Sequence, residues 1–118
     1  ISCCAHAHVL PLLGYSLRPT ACLVYPLMVG GTLEDRILLN ADAAARLAAI
    51  GHGSLPPPLP WWDRLRICRD IASALAYLHA PTAEKPSTLH LDVKPSNVFL
   101  DQSTGRDIAV LADFGLAR

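Results

Sequence analysis

The stretch TLHLDVKPSNVFLD, residues 88–101, sets a carboxylate, an ammonium and a carboxamide at Asp92, Lys94 and Asn97, between two apolar runs. A second carboxylate, Asp113, follows in LADFGLAR. These residue types suit phosphoryl transfer. An Asp can accept a proton from a substrate hydroxyl or orient that hydroxyl. A Lys two residues on points the same way in an extended segment, where its charge offsets that of a transferring phosphoryl group. An Asn amide oxygen and a second carboxylate are hard ligands suited to Mg²⁺. Such a reaction asks for positioning and charge neutralisation more than for covalent chemistry.

Rigid strand ends hold reactive groups at fixed separations, and strand-like residues lie where they are needed. Short strands are predicted at 88–91, 98–100 and 108–112, with Asp92 and Asp113 just beyond a strand and Asn97 just before one. A turn, QSTGRD, joins the last two. Ahead of them, WWDRLRICRDIASALAYLHA over 61–80 repeats apolar residues at 65, 68, 71, 72, 75 and 78, the stripe of a half-buried helix. Arg64, Arg66, Arg69 and Asp70 fall mainly off that stripe, Trp61 and Trp62 are expected as packing anchors at its start, and Pro81 stops it.

Further upstream, VLPLLGYS and ACLVYPLM, separated by LRPT, predict a hairpin. Pro11 favours an edge or strand-start position. LEDRILL predicts a short helix with Thr32 as N-cap. Residues 40–60 change character: an Ala-rich run favours a turn or two of helix over 41–50, and PPPLP then prefers polyproline II. That segment is expected to be a surface insertion rather than a proline ligand for another domain.

The bulk composition narrows the function. The 118 residues carry 10 Lys+Arg and 10 Asp+Glu, and this zero balance argues against a nucleic-acid partner. No apolar run is long enough to span a bilayer. The cysteines at 3, 4, 22 and 68 fit no disulfide framework and are expected as free thiols of a reducing compartment, with Cys22 and Cys68 as small core residues. CCAHAH could suggest zinc, but adjacent cysteines chelate one ion poorly and no second ligand pair follows, so an ordinary loop is expected.

HLDVKPSN resembles the protein-kinase catalytic loop H-R-D-x-x-x-x-N, and ADFG resembles the metal-binding D-F-G segment. The two Asp residues are 21 apart, with two strand-like runs and a turn between them. LLGYSLRPTACLVYPLMVGGTLEDRI is similar to the end of the small lobe, hinge and next helix of plant receptor-like kinases and the related Pelle/interleukin-receptor-associated kinases. WWDRLRICRDIASALAYLHAP is similar to their long helix before the catalytic loop. The resemblance implies a partial protein-kinase-like α+β fold: small-lobe strands and hinge over 1–31, then the first half of the large lobe over 32–118, with the insertion at about 40–60.

By the resemblance, Asp92 is the catalytic base and Lys94 the phosphate-contacting Lys of Ser/Thr-type loops. Asn97 and Asp113 are the metal ligands and thereby cofactor contacts. His90 and Phe114 belong to the packed column linking the lobes. Tyr25 sits at the back of the nucleotide pocket, Pro26 to Met28 form the adenine-binding hinge through the Pro26 C=O and Met28 N–H, and Phe99 packs under the adenine ring. The implied activity is transfer of the ATP γ-phosphate, with Mg²⁺, to a Ser or Thr hydroxyl of a protein substrate. An intracellular, cytoplasmic-side location is expected, whether or not the parent chain is membrane-anchored.

Leu91 stands where the family has the Arg that pairs with a phosphorylated activation loop, so in this respect the chain resembles the family's non-Arg subgroup. No G-x-G-x-x-G, no V-A-I-K lysine with its helix glutamate, and no A-P-E occurs in these residues, so the chain reads as a piece of a longer kinase domain, expected to be inactive and aggregation-prone alone. Two rival functions are a pseudokinase scaffold, against which Asp92, Asn97 and Asp113 weigh, and a small-molecule phosphotransferase of related fold, against which DFGLAR weighs. Taken singly, each residue has an ordinary reading: Asp92 and Asp113 as strand-end turns, Lys94 as a solvated charge, Asn97 as a turn amide.

Overall fold

The computed structural model describes residues 5–83, 85–115 and 117–118. Five elements lie ahead of the 88–97 segment. β1 (Gly14–Ser16) and β2 (Cys22–Val24) form an antiparallel hairpin in which Tyr15 faces Leu23. Two short helices follow, α1 (Leu33–Leu38) and α2 (Ala41–Ala49), and then the long helix α3 (Trp61–His79). After a 3₁₀ turn at Pro95–Asn97, β3 (Val98–Asp101) and β4 (Ile108–Leu111) pair antiparallel, with Val98 opposite Leu111.

Local chemistry explains the helix starts. Thr32 caps α1: its hydroxyl accepts the Asp35 N–H at 3.1 Å, and the Asp35 carboxylate accepts the Thr32 N–H at 3.2 Å, a reciprocal capping box. Asn40 caps α2 by accepting the Ala43 N–H at 2.9 Å. Pro60 precedes α3 in extended backbone, where its fixed φ and missing N–H cost nothing. At the other end, the buried Lys85 ammonium donates to the carbonyls of Leu78, Ala80 and Pro86, which satisfies chain polarity where α3 stops.

The core lies between α3 and the β3–β4 hairpin, and its centre is Leu78, Leu100, Leu111 and Ala74. Val9 joins it from the N-terminal side, where Leu10 N–H donates to Leu111 C=O and Leu111 N–H to His8 C=O. The inward face of α3 differs from the predicted stripe. Ile67, Asp70, Ala74 and Leu78 are buried, whereas Leu65, Cys68 and Ala72 are exposed. The helix is apolar on two faces roughly opposite one another, and the hairpin covers only the one through 67, 74 and 78. Asp70 can face inward because it is bonded there: it accepts the Ala109 N–H at 3.3 Å and pairs with Arg69.

Three further expectations are corrected. Trp61 and Trp62 do not anchor the helix start; they are 66% and 70% exposed, on the uncovered side. Cys22 and Cys68 are free thiols but exposed, since neither the β1–β2 hairpin nor the outer face of α3 is covered. Residues 88–91 form no strand. Leu89 exchanges a single pair of backbone hydrogen bonds with Arg118, and positive φ at Leu91 breaks the extension. In CCAHAH, Cys3 and Cys4 lie outside the described residues. Among the described residues no His/Cys/Asp/Glu group could hold a metal by itself, and no helix is long and apolar enough to cross a membrane.

Candidate active site

The loop from His90 to Asn97 is tied to the end of β4 at one peptide. Ala112 N–H donates to the Asn97 carbonyl at 2.9 Å, and the Ala112 carbonyl lies 2.9 Å from His90 Nε2. His90 Nδ1 accepts the Asp92 backbone N–H at 3.2 Å. That assignment leaves the proton on Nε2, which donates to Ala112, so the buried ring is a neutral bridge between the loop and the residue before Asp113. Phe114 packs on the same ring, with centroids 4.9 Å apart.

Leu91 and Asp113 both have φ near +65°, at 66° and 63°. Left-handed backbone is unfavourable for a branched residue such as Leu and persists where surrounding contacts hold it. Here the turn at Leu91 lets His90 point into the core while Asp92, two residues later, stands half-buried at the surface. The matching turn at Asp113 follows a fully satisfied Ala112 peptide and brings a new direction to the chain, with Gly115 N–H 3.3 Å from Asp113 Oδ1.

Asp92, Lys94 and Asn97 converge. The Asn97 amide nitrogen donates to the Asp92 backbone oxygen and to Asp92 Oδ2, both at 2.9 Å. The Lys94 ammonium donates to the same Oδ2 at 2.8 Å. Lys94 therefore does point along with Asp92, as the two-residue spacing in extended backbone requires. The hydrogen bond from Lys94 holds the Asp92 carboxyl below its ordinary range; some desolvation opposes this, and the Asn97 bond reinforces it. Reciprocally, the bond to Asp92 raises the Lys94 pKa. At neutral pH this is a carboxylate–ammonium pair.

The candidate cleft has two connected halves. One, of about 470 Å³, is lined by Asn97, Asp113 and Phe114 together with Leu10, Tyr25 and Phe99. The other, of about 310 Å³, shares Leu10, Tyr25 and Phe99 and continues along Pro26 and Met28 to Thr32, Asp35 and Arg46. Tyr25, Pro26, Met28, Phe99, Asn97 and Asp113 thus line two halves that share three residues, while Lys94 lines neither and stands outside with Asp92. The strand β3 joins the ends of the cleft. Gly30 N–H donates to Leu100 C=O at 3.0 Å and Leu100 N–H to Gly31 C=O at 2.9 Å, so the exit of the 26–28 segment is stitched to a strand that begins one residue after Asn97.

The donor set fits Mg²⁺. Because Asn97 uses its amide nitrogen toward Asp92, its amide oxygen is the remaining ligand atom, and Asp113 supplies a carboxylate on the wall of the same cleft. Two hard oxygen ligands are what Mg²⁺ commonly takes from a protein when phosphates and water complete its octahedron.

Asp35, Arg46 and Ile50 are among the residues of this cleft that carried no functional reading in the sequence. Asp35 is buried, and although burial pushes its carboxyl pKa up, hydrogen bonds from Arg46 and Thr32 bring it below the ordinary value. Arg46 and Ile50 come from the Ala-rich insertion, which looks like filler when read alone. The T-x-x-D spacing of Thr32 and Asp35 was the one available signal, as a capping box rather than as a pocket wall.

A family model described as protein tyrosine and serine/threonine kinase matches residues 1–118. The L-type lectin-domain containing receptor kinase I.7 of Arabidopsis thaliana is 44% identical over 115 residues, covering 96% of this chain and 14% of that protein. The U-box domain-containing protein 52 of Arabidopsis thaliana is 37% identical over 113 residues, covering 95% of this chain and 11% of that protein. The receptor-like protein kinase THESEUS 1 of the same plant is 36% identical over 114 residues, covering 96% and 11%. The chain thus spans between about a tenth and a seventh of the length of these relatives.

Proposed function

Because the chain belongs to the protein tyrosine and serine/threonine kinase family, we propose that it is the hinge and catalytic-loop portion of a kinase that transfers the ATP γ-phosphate to a serine or threonine hydroxyl of a protein substrate. The observation that carries this reading is the meeting of Lys94 Nζ and Asn97 Nδ2 on one oxygen of Asp92, at 2.8 and 2.9 Å. With Oδ2 so engaged, Oδ1 of Asp92 is the oxygen that can accept a hydrogen bond from the substrate hydroxyl and orient it for attack. Lys94 keeps that carboxylate ionised and brings a positive charge to the place where phosphoryl oxygens gather charge.

Asn97 and Asp113 would hold Mg²⁺, which when bound neutralises phosphate charge. Tyr25, Pro26, Met28 and Phe99 line the part of the cleft suited to the adenine ring, whose edge would bond to the Pro26 carbonyl and the Met28 N–H. A Lys two residues after the Asp favours Ser/Thr acceptors over Tyr. His90 works indirectly: by bridging Asp92 N–H to Ala112 C=O it fixes the loop against the Asp113 turn.

The test uses the full-length protein containing these residues, with ATP, Mg²⁺ and peptides that differ only in carrying Ser, Thr or Tyr. Transfer to Ser and Thr, lost in Asp92→Asn, is expected. Transfer confined to Tyr would overturn the acceptor assignment, and nucleotide binding without any transfer would make the protein a binding module.

A further inference from the structure

The insertion is braced against the nucleotide cleft. His52 Nε2 lies 2.6 Å from the Val29 carbonyl, just past the 26–28 segment. Leu47, from α2, is fully buried and so close to Gly31 that a Cβ there would sit 2.6 Å from its Cδ2. Gly31 also has φ +74°, which a side chain would strain. Next to this contact, Arg46 donates from Nε to Asp35 Oδ1 at 2.7 Å, and its Nη2 lies 2.7 Å from the same oxygen. Arg46 and Ile50 therefore form the outer wall of the hinge-side half of the cleft.

We propose that Arg46 is a binding residue for the sugar hydroxyls of the nucleotide, held in place by Asp35. The inference rests on the kinase reading above. In a nucleotide the base is apolar on its faces and bonds at its edge, the phosphates carry the charge, and the sugar is the polar part between them. The phosphate end of the cleft is marked by Asn97 and Asp113, and the base by Phe99 and the backbone of 26–28. With Tyr25 assigned to the back of the base pocket, the polar side chains left on the hinge-side wall are Thr32, Asp35 and Arg46. Thr32 spends its hydroxyl proton on Asp35 Oδ2 at 2.8 Å, and the Asp35 side chain is 3% exposed with both oxygens engaged. Arg46 is different: its side chain is 51% exposed, and a guanidinium has five N–H donors in a planar fork, of which the Asp35 pair occupies two. Arg46 lines the cleft, and its remaining donors suit hydroxyl oxygens.

Asp35 makes this arrangement rigid. It caps α1 through Thr32 and pairs with α2 through Arg46, so one buried carboxylate fixes both the helix after the hinge and the guanidinium beside it. The insertion is thereby part of the binding site.

Calorimetric titration of the full-length protein with adenine, adenosine, 2′-deoxyadenosine and 3′-deoxyadenosine tests the proposal. Wild type is expected to bind adenosine about 10- to 150-fold more tightly than at least one deoxy analogue, a range set by one hydrogen bond to a charged donor. Arg46→Ala is expected to lose that discrimination while binding adenine as wild type does, and Arg46→Lys to restore part of it. The wild-type comparison alone needs no substitution and so does not depend on a variant folding. Equal wild-type affinity for adenosine and both deoxy analogues overturns the proposal, as does an Arg46→Ala variant that weakens adenine as much as adenosine. Wild type that binds none of the four would overturn the kinase reading with it; wild type that binds all four alike removes only the role of Arg46.

Discussion

Asn97 Nδ2 lies 2.9 Å from both the backbone oxygen and Oδ2 of Asp92. This one amide closes the 90–97 loop on itself, five residues apart in sequence, and leaves its own oxygen free of Asp92 for the metal-ligand role proposed for it. Position 97 is buried, so the contact is shielded from competing water. The same residue also accepts the Ala112 N–H, which ties the loop to the strand before Asp113.

The first consequence concerns Asp92. Its replacement by Asn keeps the shape and the Asn97 contact to the backbone oxygen but removes the acceptor charge. In the full-length protein we expect kcat to fall by about 10²- to 10⁴-fold, the usual range for a lost general base. KM for ATP should change little, since Asp92 is absent from both halves of the nucleotide cleft. Steady-state kinetics with a Ser peptide checks this, and a large rise in ATP KM at unchanged kcat would contradict it.

The second concerns pH. Asp92 is depressed, first by the Lys94 hydrogen bond, so it stays ionised to lower pH than an ordinary carboxylate. The acid limb of kcat is therefore expected below the usual carboxylate range. Lys94→Met should move that limb upward. The same pair contributes to stability with opposite signs at the two ends of the scale. For Asp92 the contribution is present above its unfolded pKa and lost as pH falls through the lowered folded value. For Lys94, whose pKa is raised, it is present below the unfolded value and lost as pH rises through the folded one. Both groups are open to solvent, so salt should weaken the effect. A pH–rate profile of wild type and variant at two ionic strengths measures it.

These two residues show what a linear sequence can and cannot convey. The lysine two positions from the aspartate, the hairpin after the loop and the N-cap at Thr32 were legible because each depends on neighbours a few residues away. The face of α3 was not legible. Both of its faces are apolar, and only contact with β4 decides that Ile67 goes inward and Leu65 outward. Asp70 was misplaced for the same reason: its partner, the Ala109 N–H, is 39 residues away. The Arg46–Asp35 pair was invisible because an alanine-rich insertion gives no local sign that one of its side chains reaches back to the cleft.

The third prediction tests the stitch between hinge and β3. A Cβ on Gly30 would sit 2.5 Å from the Leu100 carbonyl oxygen and 2.7 Å from Leu100 Cβ, the first of these a backbone atom that cannot swing aside. Gly30→Ala must push the hinge exit off the strand and strain the Gly30 N–H to Leu100 C=O bond. We expect a loss of about 1–3 kcal/mol, the range for overpacking a filled site. ATP KM should rise as well, since Leu100 neighbours Phe99 in the cleft. A thermal melt with and without nucleotide reads both, and an unchanged midpoint would show that the strand yields.

A fourth change isolates the capping box. Thr32→Ala removes the hydroxyl that accepts the Asp35 N–H and donates to Asp35 Oδ2. Loss of such a cap costs about 1 kcal/mol, with a range of roughly 0.5–2. Thr32→Ser retains the hydroxyl and should recover most of it. Denaturant unfolding of the three proteins gives the order wild type, Ser, Ala; an Ala variant as stable as wild type would mean that the Asp35–Arg46 pair alone holds the start of α1.

The last prediction concerns residues 1–118 prepared by themselves. Trp61 and Trp62 are 66% and 70% exposed, and Tyr15, Leu17 and Leu23 are 68%, 73% and 61% exposed on the β1–β2 hairpin. Large apolar side chains exposed next to one another at the start of α3 and on the β1–β2 hairpin favour self-association in water. We therefore expect the isolated segment to bind a hydrophobic dye and to sediment as multimers, without phosphotransfer at ordinary kinase rates. Trp61→Lys together with Trp62→Glu should reduce the association without disturbing the core, because neither side chain belongs to the α3–hairpin cluster. Analytical ultracentrifugation decides it: a monomer with a cooperative thermal transition would show that the core around Leu78, Leu100 and Leu111 suffices on its own.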